Sequence, residues 1–342
     1  MNVCIYGDGH IAHSLAAKIT DYLPATVLLR FDKHWNRRLA YNQAGISHES
    51  SCEIKVTTDM CVVQNADIVF IALPQFAFEG ALDRLGPYLH RGQVVVAIPA
   101  PAKMNEYAKR LEEVGAQVVG FQRVPYISRI VKYGEQVQIS EDRSEHKCVV
   151  SDPTMKGVWQ NFTTTWFGGK VSFLSSFSVF AFNNSNPLLH PSRLVVLFRD
   201  WRDCFFTTNP LFYAEWTDES SELYIAADRE MREVMAKCPD IDLEHDYESV
   251  LEHYGVKSAH ELTEKIRSIP PFRSITLPMK EESGKLVPDF SSRYFTEDVE
   301  FGTKVIQAIA RRVNVQTPTI DMLIAGVERI QRRNGCLKSK DR

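Results

Sequence analysis

No apolar run in these 342 residues approaches the roughly 20 needed to cross a bilayer. Nor does any basic stretch interleave with aromatics, and the net charge of −3 gives no electrostatic case for nucleic acid. The seven cysteines (4, 52, 61, 148, 204, 238 and 336) are scattered, odd in number and without a C-x-x-C pair. They read as reduced thiols of a cytoplasmic protein, neither a disulfide frame nor a zinc site, so no metal is expected. Residues 1–6 carry no basic segment followed by a small-residue cleavage site, so no signal peptide is expected. The triplet Asn161-Phe162-Thr163 then has no meaning as a glycosylation site. Internal repeats and low-complexity segments are lacking too. What remains, at 44% hydrophobic and 24% charged residues, is the composition of a globular protein too long for one core, so two domains are expected.

The most informative stretch is Gly7-Asp8-Gly9-His10-Ile11-Ala12. Val3-Cys4-Ile5-Tyr6 before it reads as a buried strand, and Ile11 to Ile19 after it has apolar residues at helical spacing. Strand, glycine turn and helix are the context that makes G-x-G-x-x-G/A a dinucleotide fingerprint. Gly7 allows the tight turn, Gly9 lets a pyrophosphate approach the backbone, and Ala12 is small enough for close packing of helix on strand. The helix start, with His10 and Ile11, offers unpaired N–H groups to the phosphates.

Further strands are read at Ala25–Arg30, Ala66–Pro74, Gln93–Pro99 and Ala116–Phe121, with a helix around Met104–Val114. Near-continuous apolar strands separated by helices describe a parallel sheet covered on both faces. Cofactors sit at the carboxyl ends of such strands, so Leu73-Pro74 and Ile98-Pro99 should face the same crevice as the glycines. The second strand ends at Arg30, followed by Asp32, Lys33, His34, Arg37 and Arg38. An arginine there suits a 2′-phosphate, which favours NADP(H). The alternative is a solvated basic loop with Asp32 on a ribose hydroxyl and NAD(H) preferred.

After Asp152-Pro153 the pattern turns helical. The expected fold is therefore α/β, an N-terminal Rossmann dinucleotide-binding domain over 1–152 followed by an all-α catalytic domain over 153–333, with 334–342 a frayed tail. Amphipathic runs are read at Leu223–Met235, Tyr247–Tyr254, Ser258–Ile269 and from Thr317-Pro318 onward, and Lys280–Asp289 as a surface loop. Two stretches could carry chemistry in a cleft between the halves. Asn183 to Pro191 sets amides and His190 in an apolar surround; such an imidazole can move a proton, although alone it reads more readily as a satisfied structural histidine. Ser291 to Gly302 holds Arg293, able to clamp a carboxylate, and Asp298, able to fix an imidazole tautomer.

Read together, these motifs resemble the octopine/nopaline-type opine dehydrogenases, most closely the bacterial N-(1-carboxyethyl)norvaline dehydrogenase kind. The resemblance runs through the glycine turn, Val124-Pro125-Tyr126 with Arg129, Leu189-His190-Pro191, Leu211-Phe212-Tyr213, Tyr254-Gly255, Arg293-Tyr294-x-x-Glu297-Asp298-Val299 and Val313 to Asp321. It implies NAD(P)H-dependent reduction of the imine formed from an α-keto acid and an amino acid. It further implies His190 as acid/base, Asp298 as its orienting carboxylate, and Arg293, Asn184 and Tyr213 at the substrate. A homodimer through the helical domain is implied as well. Arg30 departs from the acidic residue that the relatives carry at the strand tip. Two other readings stand beside this one. A ketopantoate-reductase-like carbonyl reductase would need a lysine on a long interdomain helix, where only Lys170 offers itself, in an apparent turn. A non-catalytic NADP(H)-sensing protein would keep the turn alone.

Overall fold

The structure, a computed structural model, describes residues 1–199, 205–282 and 284–338. Cys204 and residues 339–342 of the expected tail lie outside the described residues. The chain divides into two compact units, Met1–Phe180 and Ala181–Arg342.

In the first unit eight strands lie side by side in the order Lys170–Phe173, Glu145–Val150, Gln117–Phe121, Val94–Ala97, Ile68–Ile71, Val3–Tyr6, Ala25–Leu28 and Ile54–Thr57. The last six are mutually parallel; Glu145–Val150 runs against Gln117–Phe121. The central strands read as unbroken apolar runs because both of their faces are covered: Val3–Tyr6, Ile68–Ile71 and Val94–Ala97 are buried at every position. Their register aligns Tyr6 with Leu28 and Ile71, and Ile71 with Ala97. Gly7, Leu29, Ala72 and Ile98 therefore all leave the sheet at the same edge.

The first unit extends well past residue 152. The helix Lys156–Phe167 is helical, as its pattern implies, but it covers the sheet. Trp159, Trp166 and Phe167 are buried in the core of this unit, and each large apolar side chain so buried contributes about 1.5–3 kcal/mol. Trp166 packs edge-on to Phe70, Phe167 packs on Phe121, and Tyr126 donates from its hydroxyl to the carbonyl of Trp166. Gly168 and Gly169, both at positive φ, make the turn that starts the edge strand, so Lys170 stands exposed on that strand.

A second sheet was not legible in the sequence. Ile46–Glu49, Ala40–Gln43, Gln136–Asp142 and Tyr126–Lys132 form it in that order. Its strands are half-polar, and Ile46–Glu49 is exposed throughout, so no apolar run announces them. It packs on the helix His10–Ile19, which the glycine turn opens.

The second unit is mainly helical. Asp218–Met235, Ala259–Ser268 and Pro318–Lys338 fall where the apolar stripes place them. The tail is helical to Lys338 rather than frayed from 334. The loop expected at Lys280–Asp289 is a two-stranded hairpin, Met279–Glu282 with Lys285–Pro288, and its polar strands are mostly exposed. The unit is therefore not wholly α. The core comes from the interior stripe of Pro318–Lys338, with Ile320, Leu323 and Val327 fully buried, and from Met231, Val234 and Met235. Glu230 accepts hydrogen bonds from the backbone N–H groups of Thr319 and Ile320, so one helix caps another.

Candidate active site

Two sets of candidate residues lie one in each unit. In the first, Gly7 has φ +147°, and a Cβ there would stand 2.6 Å from the carbonyl oxygen of Ala72. Only glycine fits, because the chain must cross a neighbouring strand end at contact distance. At Gly9 a Cβ would meet nothing within 4 Å, so the cradle ahead of the helix is open space that this missing side chain leaves clear. Ala12 is fully buried under that helix, and Ile11 is half-buried beside it. The turn thus meets the steric demands of a pyrophosphate approaching a helix N-terminus.

The turn is braced from beneath. His13 is fully buried; its Nδ1–H donates to the carbonyl of Gly9 at 2.9 Å, and its Nε2 accepts from the N–H of Gly134 at 2.9 Å. Trp35 lies 4.0 Å from its ring centroid and Tyr133 packs edge-on at 5.0 Å. Burial pushes the His13 pKa down to about 4, with Lys33 and His10 adding to the fall while Gly9 and Asp8 oppose it. His10 uses Nδ1 to accept from the N–H of Ile130, and Ser128 donates to the carbonyl of His10. The His10 side chain therefore serves the second sheet.

At the strand tips the basic cluster resolves into separate contacts. Lys33 donates to Asp8 of the glycine turn at 2.5 Å, and Arg37 lies 3.8 Å from Glu53. Arg30 is exposed, with its guanidinium over the ring of Phe31, and Asp32 is exposed two residues on. Leu73 and Pro74 follow the strand Ile68–Ile71, half-buried and exposed respectively.

In the second unit, His190 lies in the helix Asn186–Leu197, directly before Pro191. Proline has no N–H, so the carbonyl of Pro187, one turn back, lacks its helical donor. The hydroxyl of Thr303 donates to that carbonyl instead, at 2.5 Å. Thr303 closes the π-helical turn Val299–Thr303, in which Gly302 faces Pro187 with no room for a Cβ. His190-Pro191 thus opens a docking point on its own helix, and the turn that docks there carries Asp298.

The result is a buried pair. Nδ1–H of His190 donates to Oδ2 of Asp298 at 2.6 Å, with the two side chains 3% and 2% exposed. That hydrogen bond fixes the tautomer and leaves Nε2 as the accepting nitrogen. Nε2 accepts from the hydroxyl of Tyr213 at 2.8 Å. The other oxygen of Asp298 faces Arg293 at 3.7 Å, and Arg293 is 56% exposed. One carboxylate so orders both an imidazole and a guanidinium whose outer N–H groups face solvent.

Sequence reasoning missed the aromatic walls. Tyr294 stacks on His190 at 4.0 Å, and Phe212 stands edge-on at 5.6 Å. Burial raises the pKa of Tyr213 first, with the neighbouring Tyr294 hydroxyl adding to it; burial likewise raises that of Tyr294. Their signal in the chain is their place in the motifs Leu211-Phe212-Tyr213 and Arg293-Tyr294, which assigned them no role. Asn184 is exposed and accepts from the N–H of Asn186, a local turn at the start of the helix, and the structure does not bring it against His190. Among the described residues no group of three or more His, Cys, Asp and Glu side chains is arranged to hold a metal ion.

Residues 174–330 match the family model described as NAD/NADP octopine/nopaline dehydrogenase, alpha-helical domain. Octopine dehydrogenase of Pecten maximus is 26% identical over 100% of this chain and 94% of its own length. A solved octopine dehydrogenase, in complex with NADH and L-arginine, superposes with a TM-score of 0.82 at 24% identity, covering 97% of this chain and 90% of that one. A ketopantoate reductase from Ralstonia eutropha JMP134 shares the fold more loosely, at a TM-score of 0.62 and 12% identity over 97% and 99% of the two chains.

Proposed function

Because the chain belongs to the opine dehydrogenase family, we propose that it reduces the imine formed between an α-keto acid and the amine of an amino acid. The observation that carries this reading is the buried Asp298–His190 pair, with Arg293 on the same carboxylate. A nicotinamide dinucleotide, when bound, supplies the hydride. Gly7, Gly9 and Ala12, with the backbone of His10 and Ile11, hold its pyrophosphate at the helix start, and Leu73 and Pro74 line the same sheet edge. Arg293 takes the keto-acid carboxylate in a two-pronged grip. Asp298 holds the imidazole in one tautomer, and His190 takes a proton from the incoming ammonium and returns one as water leaves. Asn184, exposed just ahead of the helix that carries His190, stands at the substrate in this reading.

NADP(H) is the preferred cofactor in this reading. Among the described residues Arg30 forms no ion pair, whereas Lys33 is committed to Asp8, so Arg30 is the cation at hand for a 2′-phosphate. Replacing it, Arg30→Ala, should raise the KM for NADPH about tenfold and leave that for NADH nearly unchanged. A cytoplasmic homodimer, joined through the helical unit, completes this reading. Light scattering on the purified protein tests the dimer.

The decisive assay is a matrix of keto acids against amino acids, run with NADPH and NADH in parallel. Cofactor oxidation that requires both substrates is expected. Oxidation by a keto acid alone would favour a ketopantoate-reductase-like enzyme, whose lysine has no counterpart in Lys170 on its exposed edge strand. Cofactor binding without turnover across the matrix would point to a sensing protein.

A further inference from the structure

The imidazole of His190 has no nitrogen left for a substrate. Nδ1 is taken by Asp298 and Nε2 by the Tyr213 hydroxyl, while Phe212 and Tyr294 cover the ring. We propose that Tyr213 is a catalytic residue, its hydroxyl passing the proton between Nε2 of His190 and the substrate. The proposal rests on the imine-reducing function above and adds a member to its proton path.

Three features support it. Tyr213 is held as firmly as the histidine, its ring stacked 4.2 Å from Phe272 and lying nearly parallel to Trp216. Its segment is tied to the helix of His190 itself: Nε of Arg193, one turn after the histidine, donates to the carbonyl of Phe212 at 3.1 Å. The N–H of Phe212 is tied on the other side to the carbonyl of Ile275 at 2.8 Å. The hydroxyl therefore cannot drift from Nε2 without breaking several contacts. Finally, burial keeps this phenol protonated throughout the working range, so it is no base by itself. A hydroxyl of that kind moves a proton only by giving one as it receives another.

The step balances in that form. Addition of the amine to the keto acid gives a carbinolamine. Protonated His190 gives its Nε2 proton to the oxygen of Tyr213 while Tyr213 gives its own proton to the carbinolamine hydroxyl. The C–O bond breaks, water leaves, and the nitrogen lone pair closes the C=N bond. His190 ends neutral and Tyr213 is unchanged. The proton consumed is the one His190 took earlier from the substrate ammonium, by the same path reversed.

Tyr213→Phe keeps the ring and removes the hydroxyl. The single-turnover rate should fall at least about tenfold, with the KM for the keto acid little changed. Rates in H2O/D2O mixtures should bend with isotope fraction in the native enzyme, since two protons move together, and run straight in the variant. An undiminished rate in Tyr213→Phe would overturn the proposal, as expected if substrate merely displaces the hydroxyl. So would a straight dependence in the native enzyme, which needs no variant. A readout free of turnover separates this from failure of the parent function: the 15N resonance of His190 Nε2 should move on Tyr213→Phe. An unmoved resonance refutes the contact even if no substrate pair is found.

Discussion

Acidification should loosen the first unit through one side chain, His13. Its folded pKa, about 4, lies below the usual 6.5, so between those values the unfolded chain binds the extra proton and the folded one resists it. The stability that neutral His13 confers is fully present above about pH 6.5 and is lost as pH falls toward 4. A full shift of that size corresponds to about 3 kcal/mol, and roughly 2 kcal/mol of it should be gone by about pH 5. The structural reason is specific. Protonated Nε2 can no longer accept from Gly134, and the new charge would face Lys33 and His10, with Asp8 as the nearby anion and Trp35 and Tyr133 as walls. Urea unfolding at about pH 7 and about pH 5 measures it, in the native protein and in His13→Gln, which cannot titrate. Other groups titrate in this window, so the quantity of interest is the difference between the two slopes. Equal loss of stability in both proteins, within about 0.5 kcal/mol, would refute the reasoning.

Other perturbations follow from contacts already described. His190→Ala should lower turnover by ~10²–10⁴ with cofactor affinity intact, as read by kcat and by NADPH fluorescence titration. Gly7→Ala forces a Cβ against the Ala72 carbonyl at positive φ; a stability loss of about 1–3 kcal/mol and weakened dinucleotide binding should appear in thermal denaturation and the same titration. Thr303→Val leaves the Pro187 carbonyl buried without a donor, at a cost of about 1–3 kcal/mol, and frees the turn that carries Asp298. Its kcat should drop while Thr303→Ser restores it; equal activity of the two variants would show that the hydroxyl does not position Asp298.

Much of the fold could be read from the chain because its signals are local. The strand Val3–Tyr6, the glycine turn and the helix after it declare themselves within twenty residues. The stripes in Asp218–Met235 and Pro318–Lys338 follow the helical period. The second sheet escaped because Ala40–Gln43 and Ile46–Glu49 are short and polar and gain order only from pairing with Gln136–Asp142, nearly a hundred residues on. The reach of the first unit to Phe180 escaped for a similar reason. A helical pattern at Lys156–Phe167 does not say which core it covers; Trp159, Trp166 and Phe167 do so only once Phe70 and Phe121 are in place. At the site, His190, Asp298 and Arg293 were singled out by residue type and family order. Their convergence depends on Pro191 withholding an N–H from Pro187, and on Thr303 answering it across more than a hundred residues. Tyr294 and Phe212 carry no mark of their own.

Because a hairpin anchors the glycine turn at Ile130, Ser128 and Gly134, the binding loop arrives already shaped. A guest dinucleotide then has little disorder to freeze, and its capture should resemble a key entering a cut lock more than a glove closing on a hand. Affinity in such a design is tunable from the far side of the hairpin, through residues that never meet the guest.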